Sequence, residues 1–196
     1  MSGDATIRRT ILVVGDKEVG KTCIVQCFRD WANGLDFTSP VSTDNEPTIG
    51  VDPHIVEFKI GCHFRLSILD TSGDDKFNQV VRTHYNGHVV LLVYDVNNPA
   101  TYTKALTHFL PQIRIRPLDG VPIILVGNKQ EKDDVLSISS NEEAYNRPYD
   151  MPTECMYAAV SCRTGLGVYD LFDTIINLCA REKVGMEEAL GGAELR

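Results

Sequence analysis

Residues 11–22 read ILVVGDKEVGKT: an apolar run at 11–14 and then a glycine-containing loop, after which apolar residues recur at helical spacing. Strand, glycine loop and helix in that order are the context in which G-x-x-x-x-G-K-[ST] forms a phosphate-binding loop. The glycines let the backbone turn tightly with its N–H groups inward, and the next helix offers its positive N-terminal end. Lys21 would add a charge at the β- and γ-phosphates, and the Thr22 hydroxyl would ligate Mg²⁺. The stretch alone predicts a nucleoside triphosphate site.

The composition is that of one ordinary globular domain. The chain has 196 residues, of which 43% are hydrophobic and 23% charged, so a single full-sized core is expected. Lys and Arg number 19 and Asp and Glu 27, which gives a net charge of −8. This acidity argues against a nucleic-acid partner, because nucleic-acid binders usually carry a basic face.

The cysteines and the chain ends point to a cytoplasmic protein. None of the six cysteines forms a C-x-x-C pair and no signal peptide is visible, which favours free thiols in a reducing compartment. Cys23 and Cys27 are one helical turn apart and could form half a metal site, but no second pair accompanies them and core packing is favoured. No apolar run approaches the ~20 residues of a membrane span. Ser2 argues against myristoylation and residues 193–196 lack a cysteine to prenylate, so no membrane anchor is expected and membranes would be reached through partners.

Beyond the glycine loop, predicted strands and helices alternate. Apolar or alternating runs predict strands at 6–14, 55–60, 63–69, 88–96, 121–127 and 155–160. Helices are predicted from Lys21 to about Asn33, from Pro99 with a kink or end at Pro111, near 140–145 and at 168–179. Residues 1–5 and 185–196 are predicted to be flexible tails of this single domain. The alternation predicts an α/β sandwich with a mostly parallel sheet.

Polar breaks follow four of the predicted strands, at Gly15, Asp70, Asn128 and Ser161. Ligands of such sheets bind beyond the carboxyl ends of the strands, so these breaks are expected to converge on one site. The loop at 35–47 is long for a compact domain, which is typical of a functional segment.

Five ordered motifs resemble those of the Ras superfamily of small GTPases, and most closely its Rab branch, over about residues 6–181. These five, which follow the phosphate loop, are TIGVD at 48–52, LDTSG at 69–73, VYDV at 93–96, NKQE at 128–131 and SCR at 161–163. The resemblance implies a P-loop NTPase fold: a three-layer α/β sandwich with a six-stranded, mostly parallel sheet and helices on both faces.

The resemblance also implies roles for individual residues. Thr22 and Thr48 would ligate Mg²⁺ directly, and Asp70 would hold it through water. The implied catalytic residues are Lys21, Thr48, Gly73 and an atypical Asp74. The implied contacts to GTP or GDP are Gly15, Lys17, Glu18, Val19, Gly20, Lys21, Thr22, Cys23, Phe37, Thr48, Gly73, Asn128, Lys129, Glu131, Ser161, Cys162 and Arg163.

Base recognition and partner binding follow from the same resemblance. Asn128 would accept a hydrogen bond from the base edge, while Lys129 would lie over the ring and brace the glycine loop. Phe37 would stack on the base, with Trp31 as the alternative. Residues of about 35–52 and 70–85 would contact effectors, GTPase-activating proteins (GAPs) and exchange factors (GEFs).

The most consequential departure from the family pattern is Asp74, which stands where the family usually has a glutamine that orients the attacking water. A carboxylate cannot donate to the γ-phosphate, and one like-charge pair at about 6 Å costs roughly 3 kcal/mol at an effective dielectric of about 20. Asp74 is therefore expected to turn away and leave hydrolysis slow. The alternative is that Asp74 acts as a general base.

Other departures alter the phosphate and base contacts. Lys17 and Glu18 replace small residues of the glycine loop, and Lys17 either crowds the γ-phosphate or supplies an internal cation. Glu131 replaces the aspartate that accepts both guanine donors, and guanine preference should survive because the carboxylate is retained. Cys162 and Arg163 keep the backbone N–H but change the side chains around the base.

The resemblance therefore predicts a Rab-like switch that binds GTP and GDP with Mg²⁺, hydrolyses GTP slowly and binds effectors in vesicle or intracellular trafficking. The alternative is a largely non-hydrolysing, nucleotide-locked scaffold subunit. A phosphotransferase is disfavoured because NK at 128–129 and DTSG at 70–73 have no role in one.

Overall fold

The computed structural model describes residues 6–35, 48–74, 87–114, 118, 120–130, 148 and 150–191, with residues 182–191 as backbone only. The helix near 140–145, the stacking role of Phe37 and the base contact of Glu131 are predictions that lie outside the described residues. So do residues 36–47 and 75–85 of the predicted functional loop and partner-binding segments. The flexible tails at 1–5 and 185–196 stay a prediction.

The described strands form a six-stranded sheet with the order β2-β3-β1-β4-β5-β6. Only β2 runs antiparallel to its neighbour β3, and the remaining pairs are parallel. The mostly parallel α/β sheet is therefore confirmed. The strands are β1 Thr6–Gly15, β2 Val51–Ile60, β3 Cys62–Thr71, β4 Val89–Asp95, β5 Ile123–Asn128 and β6 Cys155–Ala159.

The β2–β3 hairpin is longer than its sequence pattern predicts. The two strands pair without interruption from Val51 opposite Thr71 to Ile60 opposite Cys62, around a turn at Gly61. The polar residues Asp52 and Asp70 are themselves a register pair, so the hydrophobic alternation ends before the hydrogen-bonded ladder does. The hairpin consequently carries Asp70 to the end of β3 that lies beside the phosphate loop.

Three helices occupy the described residues. α1 spans Lys21–Ala32 and α3 spans Val168–Gly191, while α2 consists of Pro99–Lys104, a π-helical segment Ala105–Phe109 and a last turn Leu110–Ile113. None of them is long and apolar enough to cross a bilayer.

Of the two outcomes predicted at Pro111, a kink or an end of the helix, the end was wrong: helix α2 continues past the proline, but its geometry is distorted there. The Leu110 N–H bonds to the Ala105 carbonyl, which widens the helix directly before the proline, and the helix ends at Ile113. Proline removes one backbone donor and its ring clashes with the preceding turn of a regular α-helix. A wide π turn relieves that clash at the cost of regular geometry.

The helices cover both faces of the sheet, as predicted. Phe28 of α1 and Phe172 of α3 share one buried cluster, in which their ring centroids lie 4.4 Å apart. Phe109 and Ile113 of α2 belong to the cluster on the other face. All six cysteines are free, and Cys27 is buried in the first cluster, as its core-packing interpretation predicts.

Strand β1 lies at the point where the chain changes direction across the sheet, with β3 on one side and β4 on the other. Ligands of doubly wound sheets bind outside the carboxyl ends of the strands at such a point. The loop that follows β1 is the glycine loop Gly15–Gly20, so the topology and the motif indicate the same edge.

Candidate functional site

The glycine loop joins β1 directly to the N-terminus of α1. Gly20 lies before the first helical residue, Lys21, with a φ of 91°. The Lys21 ammonium is almost fully buried and its Nζ donates to the Asp16 carbonyl at 2.6 Å. Burial lowers the pKa of Lys21 to about 8, although the charges of Asp70 and Asp16 oppose that shift. The loop therefore holds an amine that an anionic ligand would keep charged.

Asn128, at the end of β5, is fastened to the glycine loop. Its Nδ2 donates to the Val19 carbonyl at 2.9 Å, and a Cβ at Gly20 would lie only 2.2 Å from that nitrogen. Asn128 is 2% exposed, and its Oδ1 has no hydrogen-bond partner among the described residues. A buried acceptor of this kind is costly unless a ligand supplies the donor.

The three residues predicted to hold magnesium meet in one cluster. The Thr22 hydroxyl donates to Asp70 Oδ2 at 2.6 Å, and the Thr48 hydroxyl lies 3.3 Å from the same oxygen and 3.2 Å from Thr22 Oγ1. Asp70 is buried and its Oδ1 has no partner in the described part of the chain. Burial raises the pKa of Asp70, whereas the hydrogen bond from Thr22 and the charge of Lys21 act in the opposite direction.

Hydroxyl and carboxylate oxygens are the ligands that Mg²⁺ prefers, so these residues fit the ion. The described residues contain no group of three or more His, Cys, Asp or Glu side chains that could hold a metal. A cation at this cluster would therefore need the threonine hydroxyls and oxygen atoms from a ligand.

The segment after β3 packs against both neighbouring loops. The Ser72 N–H donates to the Gly50 carbonyl at 2.7 Å. A Cβ at Gly73 would lie 2.3 Å from the Asp16 carbonyl carbon and 2.3 Å from the Lys17 nitrogen, so only glycine permits this backbone contact. The Asp74 N–H lies 3.3 Å from Ser72 Oγ. Gly73 therefore lies directly against the Asp16–Lys17 peptide of the glycine loop.

Lys129 is held beside β4. Its Nζ lies 2.8 Å from Asp95 Oδ2, and its backbone carbonyl accepts from Asn97 Nδ2 at 3.1 Å. The predicted brace from Lys129 to the glycine loop stays a prediction. Within the described residues, the non-glycine residues with positive φ are Lys129 at 67° and Glu18 at 61°. Such backbone strain concentrates at binding sites.

The loop after β6 is closed by its own hydrogen bonds. Ser161 is fully buried, its Oγ accepts from the Thr164 N–H at 3.2 Å, and its backbone N–H donates to Leu166. The Gln130 N–H bonds to the Val160 carbonyl at 3.0 Å and so joins this loop to the Asn128 segment. Cys162 is buried, and its backbone carbonyl accepts a long hydrogen bond of 3.9 Å from the Cys27 thiol, whereas Arg163 is exposed.

The structure thus brings together the polar ends of β1, β3, β5 and β6, as the sequence predicts. Lys17 and Glu18 have exposed side chains, and Cys23 lies half-buried on α1. Trp31 stacks on Phe28 at 5.5 Å, ten residues and about 15 Å along α1 from Lys21. Trp31 is therefore a core-packing residue in this structure, which favours Phe37 for stacking on the base; that assignment stays a prediction. A separate cavity of about 260 Å³ includes Arg8, Arg65 and His88 and none of the predicted site residues.

Sequence reasoning missed two residues of the site, Asp16 and Lys104. Lys104 Nζ lies 2.9 Å from Asp16 Oδ1, although the two residues are 88 positions apart. Asp95 belongs to the VYDV motif, from which the sequence predicted no role for it. In the structure Asp95 forms an ion pair with Lys129. No local pattern signals these pairs, because they depend on how α2 and β4 pack beside the glycine loop.

Comparisons with known proteins all indicate one family of proteins. The sequence profile of the Ras family matches residues 10–181. The chain is 32% identical to the Ras-related protein Rab-26 of Bos taurus over 170 residues, which cover 85% of this chain and 61% of that protein.

Other Rab-related proteins are similar to the same extent. The chain is 31% identical to the Ras-related protein Rab-4A of Homo sapiens, over 82% of this chain and 69% of that protein. It is 28% identical to the Ras-related protein RabC of Dictyostelium discoideum, over 85% and 81% of the two chains. The chain spans about three fifths of the length of Rab-26 and about two thirds of that of Rab-4A.

Proposed function

The chain belongs to the Ras family of small GTPases, and we propose that it is a Rab-like switch that binds GTP and GDP with Mg²⁺, hydrolyses GTP slowly and shows its switch segments to effectors. The observation that carries the proposal is the meeting of Thr22, Thr48 and Asp70 beside the buried Lys21. Members of this family bind guanine nucleotides, and these are the groups that hold the phosphates and the magnesium in such a site.

Each residue of the cluster has a proposed task. Lys21 would leave the Asp16 carbonyl and bind the β- and γ-phosphates, where their charge would keep the amine protonated. Thr22 and Thr48 would hold Mg²⁺ directly, and Asp70 would hold it through water. When bound, the ion neutralises charge that develops on the phosphate oxygens.

Guanine recognition would depend on Asn128 and on Glu131, which lies outside the described residues. The position of Asn128 supports the first assignment, because the residue is buried at the end of β5 and its side chain is bonded to the glycine loop. A carboxylate at position 131 accepts both donors of guanine, and adenine offers no matching pair. Ser161, Cys162 and Arg163 would contribute their backbone to the rim of the base site.

The switch would act through Thr48 and Gly73. The Ser72–Gly50 hydrogen bond couples the two segments, and Gly73 packs on the Asp16–Lys17 peptide. In this class the γ-phosphate orders both segments, and its loss releases them. Residues of about 35–52 and 70–85 would then present different surfaces to effectors, GAPs and GEFs. Through these partners the protein would act at membranes in vesicle trafficking.

The direct test is to extract the nucleotide from the purified protein and identify it by chromatography, before and after loading with GTP and Mg²⁺. The proposal expects GTP or GDP in the extract and a preference over ATP on reloading. A protein that comes off the column empty and takes up no guanosine nucleotide would overturn it.

A second candidate is a nucleotide-locked scaffold, and Asp74 directly after Gly73 is the feature that favours it. Following the loaded protein for hours separates the two functions. GTP that persists both alone and with candidate GAPs supports the scaffold, whereas conversion to GDP with a GAP supports the switch.

A further inference from the structure

The second residue of the glycine loop, Asp16, carries a negative charge where a triphosphate is proposed to bind. Its Oδ1 accepts from the Lys17 N–H at 2.8 Å and from Lys104 Nζ at 2.9 Å. The side chains of Asp16 and Lys104 are only 18% and 28% exposed. Solvent therefore screens this pair less than it screens an ordinary surface ion pair.

The backbone of Asp16 makes two further contacts within the phosphate site. Its carbonyl accepts the Lys21 ammonium at 2.6 Å, and its peptide with Lys17 is the surface that Gly73 packs against. An unpaired carboxylate at this position would repel the phosphates and compete with them for Lys21. The cation that offsets this charge comes from α2, outside all the nucleotide motifs.

Lys104 is well placed to fix the direction of the Asp16 carboxylate. It ends the first α-helical segment of α2, immediately before the π-helical segment Ala105–Phe109. Its Nζ also lies 6.0 Å from the centre of the Phe109 ring, whose side chain is buried in the core beneath α2. The Lys104 ammonium thus holds the Asp16 carboxylate on the side of the loop that faces α2.

We propose that Lys104 is a positioning residue for nucleotide binding, which neutralises Asp16 and holds its carboxylate on the α2 side of the phosphate loop. The inference rests on the proposed function, because it assigns Lys104 a task in GTP binding. Lys104 itself would touch no part of the nucleotide. Removing it should therefore harm binding only as long as Asp16 is charged.

The experiment measures GTP affinity by titration of a fluorescent GTP analogue with Mg²⁺ into wild type, Lys104→Met, Asp16→Asn and the double variant. Lys104→Met should weaken affinity by about tenfold or more, since it leaves a partly buried carboxylate unpaired. Asparagine still offers an oxygen to the Lys17 N–H, so Asp16→Asn gives the GTP affinity of a loop without the carboxylate charge, with which the double variant is compared. The double variant should recover most of the loss, and Lys104→Arg should bind close to wild type.

Lys59→Met is the matched control, because it removes an exposed lysine from β2, away from the loop. Affinity of Lys104→Met equal to wild type, or a double variant no better than Lys104→Met, would overturn the inference. A purely structural role for Lys104 predicts the second of these results, because its packing is lost in both variants. Failure of wild type to bind GTP would refute the proposed function instead. If Lys104→Met does not fold, the double variant is compared with Asp16→Asn, and a weaker GTP affinity of the double variant would overturn the inference.

Discussion

The Thr22 hydroxyl donates to Asp70 Oδ2 at 2.6 Å and so joins the first turn of α1 to the end of β3. The other carboxylate oxygen, Asp70 Oδ1, is buried without a hydrogen-bond partner in the described residues. A buried carboxylate with one oxygen satisfied and one open is costly for folding alone. A cation, or a water molecule bound to it, would satisfy the open Asp70 Oδ1 and offset this cost.

We expect Asp70→Asn to uncouple nucleotide release from magnesium. Asparagine keeps an oxygen for Thr22 but loses the charge that attracts the ion, and changes next to a metal ligand typically cost about 10–100-fold in metal affinity. Chelation with EDTA should speed release of a fluorescent GDP analogue from wild type, because it removes an ion that stabilises the bound nucleotide. The same addition should change release from Asp70→Asn far less.

The control for this experiment is Asp173→Asn, an exposed carboxylate on α3 whose loss should leave the EDTA response intact. If Asp70→Asn responds to EDTA as strongly as wild type, Asp70 has no part in holding the ion.

We expect Asp74→Gln to accelerate intrinsic GTP hydrolysis. The substitution supplies a donor to the γ-phosphate and removes a like-charge interaction of roughly 3 kcal/mol at about 6 Å. Recovery of about half of that energy lowers the barrier enough for a rate increase of about tenfold. Single-turnover phosphate release from GTP-loaded protein measures it.

Asp74→Asn separates the effect of removing the charge from the effect of adding a donor, because its amide is uncharged but lies on a shorter side chain than that of glutamine. We expect its hydrolysis rate to fall between those of wild type and Asp74→Gln. A slower rate in both variants would instead make Asp74 the general base.

The parts of the site that could be predicted from sequence are those that local chemistry determines. The segment Thr6–Ala32 was predictable because an apolar strand, a glycine loop and an amphipathic helix each have a local signature. Asp70 and Asn128 were predictable because polar residues end buried strands, and parallel strands bring those ends to one edge.

The pairs Lys104–Asp16 and Lys129–Asp95 were not predictable, since each joins residues from separate elements. Their existence depends on side-chain directions that are fixed only after α2 and β4 pack. The form of the distortion at Pro111 was not predictable for a related reason, because the π-helical segment before the proline has no sequence signature.

We expect Glu18→Gly to stabilise the protein. Glu18 has a φ of 61°, a left-handed conformation that costs a residue with a Cβ roughly 1–2 kcal/mol. Glycine adopts this conformation without that cost, although it gains entropy when unfolded, so the net gain should be about 1 kcal/mol or less. For a domain of this size, 1 kcal/mol raises the Tm by about 2–4 °C.

Glu18→Ala is the matched variant, because it removes the carboxylate but keeps the Cβ. Its Tm should stay near that of wild type. An equal rise in both variants would attribute the effect to charge instead of backbone strain.

We expect Gly20→Ala to abolish tight nucleotide binding, whereas Gly34→Ala should leave it intact. Both glycines have positive φ, 91° and 73°, so alanine strains the backbone at each by a comparable amount of about 1–2 kcal/mol. They differ in space: a Cβ at Gly20 would lie 2.2 Å from Asn128 Nδ2, and one at Gly34 would meet nothing within 4 Å. Alanine at position 20 must therefore push Asn128 off the Val19 carbonyl and separate the base loop from the phosphate loop. Thermal unfolding should show a larger loss of stability in Gly20→Ala than in Gly34→Ala, because only the first also breaks the buried hydrogen bond from Asn128 to Val19. Titration of the folded variants with a fluorescent GDP analogue should show loss of affinity in Gly20→Ala alone. Equal affinities would mean that the contact between Gly20 and Asn128 does not hold the two halves of the nucleotide site together.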